Sequence, residues 1–201
     1  MGTMRLPTRL DPEFLIRAYA SGIFPMADGR GRLSWHAPDP REIIEHRDLR
    51  VSRSLRTTIR KGTFDVRVDS AFTATMRACA APRPGEPGSW ISEEFVRTYT
   101  TLHRAGFAHS VEAWQGGELV GGLYGVSIGG AFMGESMFSS RPDASKVCLV
   151  ALVERLRTRG FLLHDTQYLT EHLARMGATE IPRATYERRL AVAIVVPCQF
   201  V

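Results

Sequence analysis

The chain has 201 residues, of which 44% are apolar and 23% are charged. A chain of this size and composition can bury a sizeable core, which excludes intrinsic disorder as its main property and fits one domain, with or without a small appendage. The formal net charge of +5 favours an acidic partner, and nucleic acid is the first candidate.

The cysteines Cys79, Cys148 and Cys198 are far apart and form no C-x-x-C pair. This pattern predicts buried or idle thiols rather than a disulfide framework or a zinc site, so we expect no metal. No apolar run reaches the ~18 residues of a membrane span, and the N-terminus lacks the apolar segment of a signal peptide. We therefore expect a cytoplasmic protein without a membrane partner.

The first 80 residues predict helices that are separated by short extended segments. A helix is predicted over 11–21, because Asp11 can cap it and Pro12 suits its first turn. The prolines of 37–40 break the segment 33–46 into two short extended pieces. The other elements predicted here are a basic helix over 51–61 capped by Ser52, a strand over 63–68 and a helix over 70–80.

The remaining residues predict a meander of strands between helices, after a loop rich in proline and glycine at 81–88. The three strands of this antiparallel meander, joined by glycine turns, are predicted at 109–114, 118–127 and 131–138. Predicted helices cover 92–105, 147–159, 168–176 and 184–190, and a short buried strand covers 161–163. This mixture predicts an α+β fold, with a domain boundary near Gly62 or in the 81–88 loop.

A carboxylate lies in the most apolar part of the chain, within the segment G-E-S-M-F-S at 134–139. Strict alternation along a strand would place Met133, Glu135 and Met137 on one face. A buried carboxylate without a partner costs several kcal/mol or has a raised pKa, so Glu135 needs a partner. The pattern fits a polar site, and it also fits a structural salt bridge to one of the arginines.

A second polar group follows the apolar strand that ends near Leu163. Asp165 stands at the carboxyl end of this strand, where ligands gather in α/β-type sheets. Gln167 lies two residues further, so in an extended stretch it points to the same side as Asp165. Together the two side chains can hold an amine, although capping of the next helix by Asp165 or Thr166 is an alternative.

The basic helix predicted over 51–61 has its arginines on one face, since Arg53, Arg56 and Arg60 lie three and four residues apart. No acidic residue occurs between Val51 and Phe64, so this face is not neutralised locally. Such a row suits contact with nucleic-acid phosphates. A solvated face without a partner is the alternative.

The segment 139–146 joins a meander strand to a helix, as the pyrophosphate loop does in acyl-CoA-dependent N-acetyltransferases. That loop is rich in glycine, which lets backbone amides approach the pyrophosphate. Segment 139–146 contains no glycine. Binding of acetyl-CoA in that mode is therefore disfavoured, and capping of the next helix by a Ser or Asp explains these residues.

Nine short sequence blocks follow one another from residue 18 to residue 183. The first three are A-Y-A-S-G-I-F-P at 18–25, W-H-A-P-D-P-R at 35–41 and V-S-R-S-L at 51–55. The later blocks are A-H-S-V-E at 108–112, G-E-L-V-G-G-L-Y-G-V at 117–126, G-E-S-M-F-S at 134–139, A-S-K at 144–146, D-T-Q at 165–167 and G-A-T-E-I-P-R at 177–183. In order and spacing they resemble the blocks of bacterial leucyl/phenylalanyl-tRNA–protein transferases.

The resemblance implies an aminoacyltransferase that works without the ribosome. This family moves leucine or phenylalanine, and methionine less well, from aminoacyl-tRNA to the N-terminal Arg or Lys of a protein, which creates an N-degron for degradation. The implied architecture is an N-acetyltransferase-like domain over 63–201 beside a small N-terminal α/β domain over 1–62, shortened relative to most of the family. The implied partners are aminoacyl-tRNA and protein N-termini; no cofactor is implied, and we expect a monomer.

The resemblance also assigns roles to the polar residues discussed above. Asp165 and Gln167 orient or deprotonate the attacking amine, and Glu135 supports the site. The ester of aminoacyl-tRNA is already activated, so the enzyme mainly positions the amine and handles its proton. Which group accepts that proton is left open.

Further residues are implied in binding the aminoacyl-tRNA. Trp35 and Trp90 would contact the terminal adenosine, and Arg53, Arg56 and Arg60 would hold phosphates without reading sequence. The side-chain pocket for Leu or Phe would be formed by Leu123, Phe132, Met137, Leu149 and Leu152. His164 stands where the family often has an aliphatic residue, so we expect a pocket that is more polar or smaller.

Two other functions fit parts of the sequence. A CoA-dependent N-acetyltransferase would share the fold, but segment 139–146 argues against CoA binding. An RNA-binding protein without catalysis would explain the basic helix and would leave Glu135, Asp165 and Gln167 without a role.

Overall fold

Helices and strands alternate through residues 7–28, 31–82 and 89–201, which the computed structural model describes. The helices are α1 (Pro12–Ala20), α2 (Arg53–Arg60), α3 (Phe72–Ala80), α4 (Glu93–Arg104), α5 (Ala144–Thr158), α6 (Glu171–Arg175) and α7 (Arg183–Ala193). The strands are β1 (Phe24–Ala27), β2 (Leu33–His36), β3 (Arg41–Ile43), β4 (Asp65–Val68), β5 (Ala108–Gln115), β6 (Glu118–Ile128), β7 (Ala131–Ser139), β8 (Leu163–Gln167) and β9 (Thr179–Ile181). Most of the loop predicted at 81–88 lies outside the described residues.

Most of these strands form one mixed sheet with the order β4-β5-β6-β7-β8-β3-β9. Its neighbouring strands run antiparallel, except β7 and β8, which pair in parallel. Strands β1 and β2 form a separate antiparallel pair. The predicted meander is confirmed as β5, β6 and β7, and the predicted α+β class with a mixed sheet is confirmed with it.

The helix starts predicted from capping residues are confirmed in α1 and α2. The Asp11 side chain accepts a hydrogen bond of 2.7 Å from the backbone N–H of Phe14, and Pro12 opens α1. The Ser52 hydroxyl accepts one of 3.2 Å from the N–H of Leu55. Each bond satisfies one of the amide groups that a helix leaves unpaired in its first turn.

Several elements differ from the sequence prediction, and strand β9 is one that was not predicted at all. The strand predicted over 161–163 is found as β8, because pairing with β3 and β7 keeps its polar residues extended. Strand β1 was not predicted; it contains Pro25, and a proline is tolerated at the edge of a small sheet. The helix predicted over 168–176 is the shorter α6, because the Thr170 side chain caps it at the N–H of Leu173.

Two apolar clusters cover the two faces of the large sheet. Helices α1, α3, α4 and α7 contribute buried residues to one cluster, and we call that side the α4 face. Helices α2 and α5 contribute to the other cluster, on the α5 face, through Leu55, Leu149 and Leu152 among others. Successive side chains of a strand alternate between the two clusters where the strand is regular, as Ala131, Phe132 and Met133 of β7 do.

Strand β3 links the beginning of the chain to its end, because it lies between β8 and β9 in the large sheet. The division into domains 1–62 and 63–201 stays a prediction, and β3 precedes that boundary while it pairs with strands that follow it. Among the helices described here, none is long and apolar enough to cross a membrane.

Candidate active site

A pocket of about 540 Å³ opens where β7 and β8 separate. Their parallel pairing ends at Met133 and Asp165, after which β7 stays paired with β6 and β8 with β3. Parallel strands that part in this way leave a crevice at their carboxyl ends, which is where open sheets of this kind bind ligands. This crevice is the candidate substrate site.

A β-bulge on each of the two strands directs polar side chains at the crevice. On β7, residues 134 and 136 pair with successive residues of β6, so Glu135 is the extra residue. On β8, residues 165 and 167 pair with successive residues of β3, so Thr166 is extra. Bulges bend a strand and redirect its side chains, often beside active sites. The predicted alternation of β7 is wrong for this reason: Met133 packs on the α4 face and Met137 on the α5 face.

Glu135 is bonded to an amide rather than to an arginine. Its Oε1 accepts a hydrogen bond of 2.7 Å from Nε2 of Gln167. Its Oε2 is buried and has no hydrogen-bond partner among the described residues. Burial raises the pKa of Glu135 to about 7, against the lowering effects of the nearby Tyr19 hydroxyl and the Gln167 amide. The carboxyl group therefore exchanges a proton near neutral pH.

Asp165 is enclosed by donors and does not cap a helix. Nε and Nη2 of Arg41 donate to its two oxygens at 2.8 and 2.6 Å, and the Tyr186 hydroxyl donates at 2.8 Å. The exposed fractions of Arg41 and Asp165 are 1% and 0%. The guanidinium lies between the rings of Phe24 and Tyr186, with centroids at 4.7 and 4.5 Å. We call Arg41, Asp165 and Tyr186 the closed network.

Gln167 joins the closed network to Glu135. Its backbone N–H donates to Oδ1 of Asp165 at 2.9 Å, which stabilises an unusual φ of 70°. Since Nε2 of its side chain donates to Glu135, the amide oxygen is the atom left for a ligand, and Gln167 lines the pocket. We call Glu135 and Gln167 the open pair.

Most of the residues predicted to bind the acyl group or the adenosine line this pocket. The apolar wall contains Leu123, Met137, Leu149 and Leu152, and Trp90 contributes an aromatic wall. The Trp90 ring packs edge-on against Phe95, with ring centroids 5.3 Å apart. The pocket thus combines an apolar surface with the open pair.

Two predicted binding residues lie elsewhere. Phe132 is fully buried on the α5 face and meets the pocket only through His164, whose ring centroid is 5.9 Å away. Trp35 packs edge-on against Phe14 at 5.0 Å, and its indole N–H donates to the backbone oxygen of Pro7 at 3.1 Å. Their contact with a substrate stays a prediction.

The three arginines of α2 are exposed and lie outside the pocket. Leu55 anchors the helix in the core, while Arg53, Arg56 and Arg60 face solvent. The Arg56 Nε donates to the backbone oxygen of Val51 at 3.0 Å. This arrangement leaves a positive helix face exposed, and its contact with a polyanion stays a prediction.

Sequence reasoning missed four side chains that surround the predicted catalytic residues. Arg41 and Tyr186 form the closed network with Asp165, and the hydroxyls of Tyr19 and Tyr99 lie 2.5 Å apart behind Glu135. Arg41 and Tyr19 lie within the sequence blocks that resemble the family, and this position was the signal that could have identified them as site residues. Nothing in the local pattern distinguishes Tyr99 and Tyr186 from ordinary core aromatics.

One group of side chains has a spacing that suits a metal ion: the ligand atoms of Asp69, His103 and His109 lie within 4.8 Å of one another. Hydrogen bonds already use these atoms. His109 Nδ1 is 2.7 Å from an Asp69 oxygen, and His103 Nδ1 is 2.8 Å from the backbone oxygen of Ala108. A network that is satisfied in this way needs no ion, and we assign none to it.

Two solved structures share a distant likeness with the chain. L-PGS from Bacillus licheniformis is 14% identical, with a TM-score of 0.41 over 81% of this chain and 55% of that one. A GCN5-related N-acetyltransferase-like protein from Streptococcus suis is 13% identical, with a TM-score of 0.36 over 84% of this chain and 63% of that one. We base no functional argument on likenesses of this strength.

Comparison of the sequence with protein families and with individual relatives is more specific than these structural likenesses. The family model described as leucyl/phenylalanyl-tRNA protein transferase matches residues 43–191, and the model of its N-terminal domain matches residues 8–39. A leucyl/phenylalanyl-tRNA–protein transferase from Rubrobacter xylanophilus is 56% identical over 92% of this chain and 96% of its own length. One from Gloeobacter violaceus is 52% identical over 95% and 97%. The chain therefore belongs to the leucyl/phenylalanyl-tRNA–protein transferase family, and it is an aminoacyltransferase that acts on proteins.

Proposed function

We propose that this protein transfers leucine or phenylalanine, and methionine less well, from aminoacyl-tRNA to the N-terminal Arg or Lys of a protein. Membership of the family supports the aminoacyl transfer itself. The pocket beside the open pair supports the choice of acyl group, because its wall of Leu123, Met137, Leu149 and Leu152 can bury a large apolar side chain. Met137, with its flexible thioether chain, suits side chains of different shapes.

The observation on which the mechanism rests is the way Gln167 is held. Asp165 binds its backbone N–H and Glu135 binds its side-chain NH₂, so the amide oxygen has one orientation. An oxygen held in this way accepts a hydrogen bond from the incoming α-amine and keeps the nitrogen lone pair free for attack. Asp165 and Glu135 act in this proposal as positioning residues, and Gln167 as the catalytic residue.

The reaction forms one bond and breaks one. The α-amine nitrogen attacks the carbonyl carbon of the ester, the bond from that carbon to the ribose oxygen breaks, and a peptide bond results. The proton that the amine loses leaves with the ribose hydroxyl, so neither an external oxidant nor a cofactor is needed. The amine must be neutral to attack, and the apolar pocket favours its neutral form by desolvation.

The charges around the site support the proposed substrates. Asp165 is neutralised by Arg41, whereas Glu135 is bonded to a neutral amide, so Glu135 is the acidic group that favours a cationic N-terminal residue. Arg53, Arg56 and Arg60 offer the tRNA backbone a row of exposed guanidinium groups. Creation of an N-degron, a cytoplasmic location and a monomeric state stay predictions from the family.

Mass spectrometry of a peptide that begins with Arg tests the proposal. The peptide is incubated with purified protein and, separately, with Leu-tRNA, Phe-tRNA, Met-tRNA or acetyl-CoA. We expect one added Leu or Phe residue, less addition of Met, and no acetylation.

Matched peptides test which N-terminal residue is accepted and whether a free amine is needed. A peptide that begins with Lys should be modified, one that begins with Ala should react poorly, and one with an acetylated N-terminus should not react, because it has no free amine. No addition from any charged tRNA would overturn the proposal, and acetylation of the Arg peptide would favour the acetyltransferase alternative.

A further inference from the structure

His164 places an imidazole in the wall of the acyl pocket. It lies on β8, lines the pocket and is only 2% exposed. Its ring stands edge-on to Phe132, which supports it from the core at a centroid distance of 5.9 Å. His164 is thus held firmly beside the apolar wall of Leu123, Leu149 and Leu152.

The ring is neutral and has one nitrogen that cannot reach a ligand. Burial, together with the nearby His46, lowers the pKa of His164 to about 3, so the imidazole carries a single proton at neutral pH. The Nδ1 atom is buried without a partner among the described residues. An unpaired acceptor is tolerated in a protein interior more often than an unpaired N–H. We therefore assign the proton to Nε2.

The Nε2 side of the ring faces an opening to the pocket. A Cβ atom at position 134 would lie 3.8 Å from Nε2, but Gly134 has no side chain, and this glycine also lines the pocket. The hydrogen bonds found in the described part of the chain leave Nε2 without a partner. A ligand atom in the pocket can therefore approach the Nε2–H group past residue 134.

We infer that His164 determines acyl specificity by donating a hydrogen bond to side chains that end in an acceptor. The thioether sulfur of methionine and the phenol oxygen of tyrosine are such acceptors, and the apolar wall buries the rest of either side chain. This inference rests on the proposed function. A pocket made only of hydrocarbon would leave the acceptor unpaired and would disfavour these acyl groups.

Two matched pairs of acyl groups test the inference. Methionyl-tRNA is compared with norleucyl-tRNA on the same tRNA, a change of sulfur to CH₂, and tyrosyl-tRNA is compared with phenylalanyl-tRNA. For each pair, the ratio of kcat/KM is measured in the wild type, in His164→Leu and in His164→Gln. We expect His164→Leu to lower both ratios about 3- to 10-fold, the effect of about one hydrogen bond, and His164→Gln, which keeps a donor, to restore most of the loss.

The outcomes separate this inference from the proposed function. Equal ratios in the wild type and in His164→Leu would overturn the inference, while transfer of Leu and Phe would keep the proposed function. If only one of the two kcat/KM ratios falls, His164 acts on that acceptor alone, either the methionine sulfur or the tyrosine phenol. If His164→Leu does not fold, Gly134→Ala replaces it, because the added methyl group covers Nε2 at an ordinary contact distance and should lower the same ratios. No transfer of Leu or Phe by the wild type would overturn the proposed function itself.

Discussion

The two carboxylates of the site are both inside the protein, and they differ in how they are paired. Asp165, in the closed network, receives hydrogen bonds from Arg41, Tyr186 and the backbone of Gln167. Glu135, in the open pair, receives one from an amide and has an oxygen without a partner among the described residues. Complete pairing holds an ionised group in one geometry, whereas incomplete pairing leaves a group whose protonation responds to its surroundings.

The two groups therefore differ in what they can do: the closed network keeps its geometry, whereas the open pair can change its protonation. The closed network holds the backbone of β8, and the open pair meets the pocket. In the proposed function, a substrate amine would therefore meet a rigid amide oxygen beside an acid that is able to change charge near neutral pH. The four predictions below change one side of this comparison at a time.

The largest expected effect comes from breaking the closed network. Arg41→Met leaves the Asp165 carboxylate buried without its counter-ion, and we expect the free energy of unfolding to fall by about 3–5 kcal/mol. Urea denaturation measures this loss. The double variant Arg41→Met with Asp165→Leu should regain most of the stability, because no unpaired charge remains, and should stay inactive. A loss below about 1 kcal/mol in Arg41→Met would contradict the role of this ion pair.

Breaking the open pair should cost activity rather than stability. Gln167→Ala removes the oxygen that is proposed to hold the amine, and we expect kcat to fall about 100-fold, as for the loss of one positioned catalytic group. Single-turnover kinetics with Phe-tRNA measures the rate, and tRNA affinity should change little. Leu169→Ala, at an exposed residue two positions further that does not line the pocket, serves as the control variant. An unchanged rate in Gln167→Ala would remove Gln167 from the mechanism.

The pH dependence of stability sharpens the contrast between the carboxylates. The pKa of Glu135 is about 7 in the folded protein, above the ordinary value of 4.5 for a glutamate. Its contribution to stability is therefore complete below about pH 4.5 and is lost as the pH rises through about 7. Relative to Glu135→Gln, the wild type should lose about 2 kcal/mol of unfolding free energy over this range.

Denaturation at several pH values measures that loss for both proteins. The exposed Glu118→Gln variant should follow the wild type, because its side chain does not change environment on folding. Parallel pH profiles for the wild type and Glu135→Gln would show that Glu135 is ionised throughout this range.

The smallest effect on the rate of transfer is expected from the arginines of α2, which belong neither to the closed network nor to the open pair. Arg53→Ala and Arg56→Ala should each lower the slope of log affinity against log salt for tRNA by about 1, and kcat should be unchanged at saturating tRNA. Filter binding over a series of salt concentrations measures the slope. Arg67→Ala is the matched control, because Arg67 is already paired with Asp65 at 2.7 Å. Slopes that equal the wild-type slope would show that α2 does not contact phosphates.

Local signals were enough to predict much of the fold. Asp11 and Ser52 cap helices through hydrogen bonds to residues three positions later, so a short stretch of sequence contains both partners. The meander was predicted because glycine turns and apolar strands mark it within a continuous segment. Such elements depend on neighbours in the chain, and their position can be inferred without the rest of the structure.

The parts that sequence reasoning missed depend on distant partners. Arg41 meets Asp165 across 124 positions of the chain, and no local pattern indicates that pairing. The bulges at Glu135 and Thr166 arise from the register between strands, which a single strand's sequence does not contain. The resemblance to a family assigned Glu135 and Gln167 to one site, and the structure joins them by a hydrogen bond that no local pattern indicates.

The position of β3 between β8 and β9 also bears on how the protein is made. During synthesis, residues 41–43 leave the ribosome long before both strands that flank them, and Tyr186 follows later still. Arg41 therefore lacks both of its partners in the closed network until Asp165 and Tyr186 have emerged. A nascent chain that stops before Tyr186 cannot complete the closed network, so residues at the start of the sheet depend on residues synthesised well over a hundred positions later.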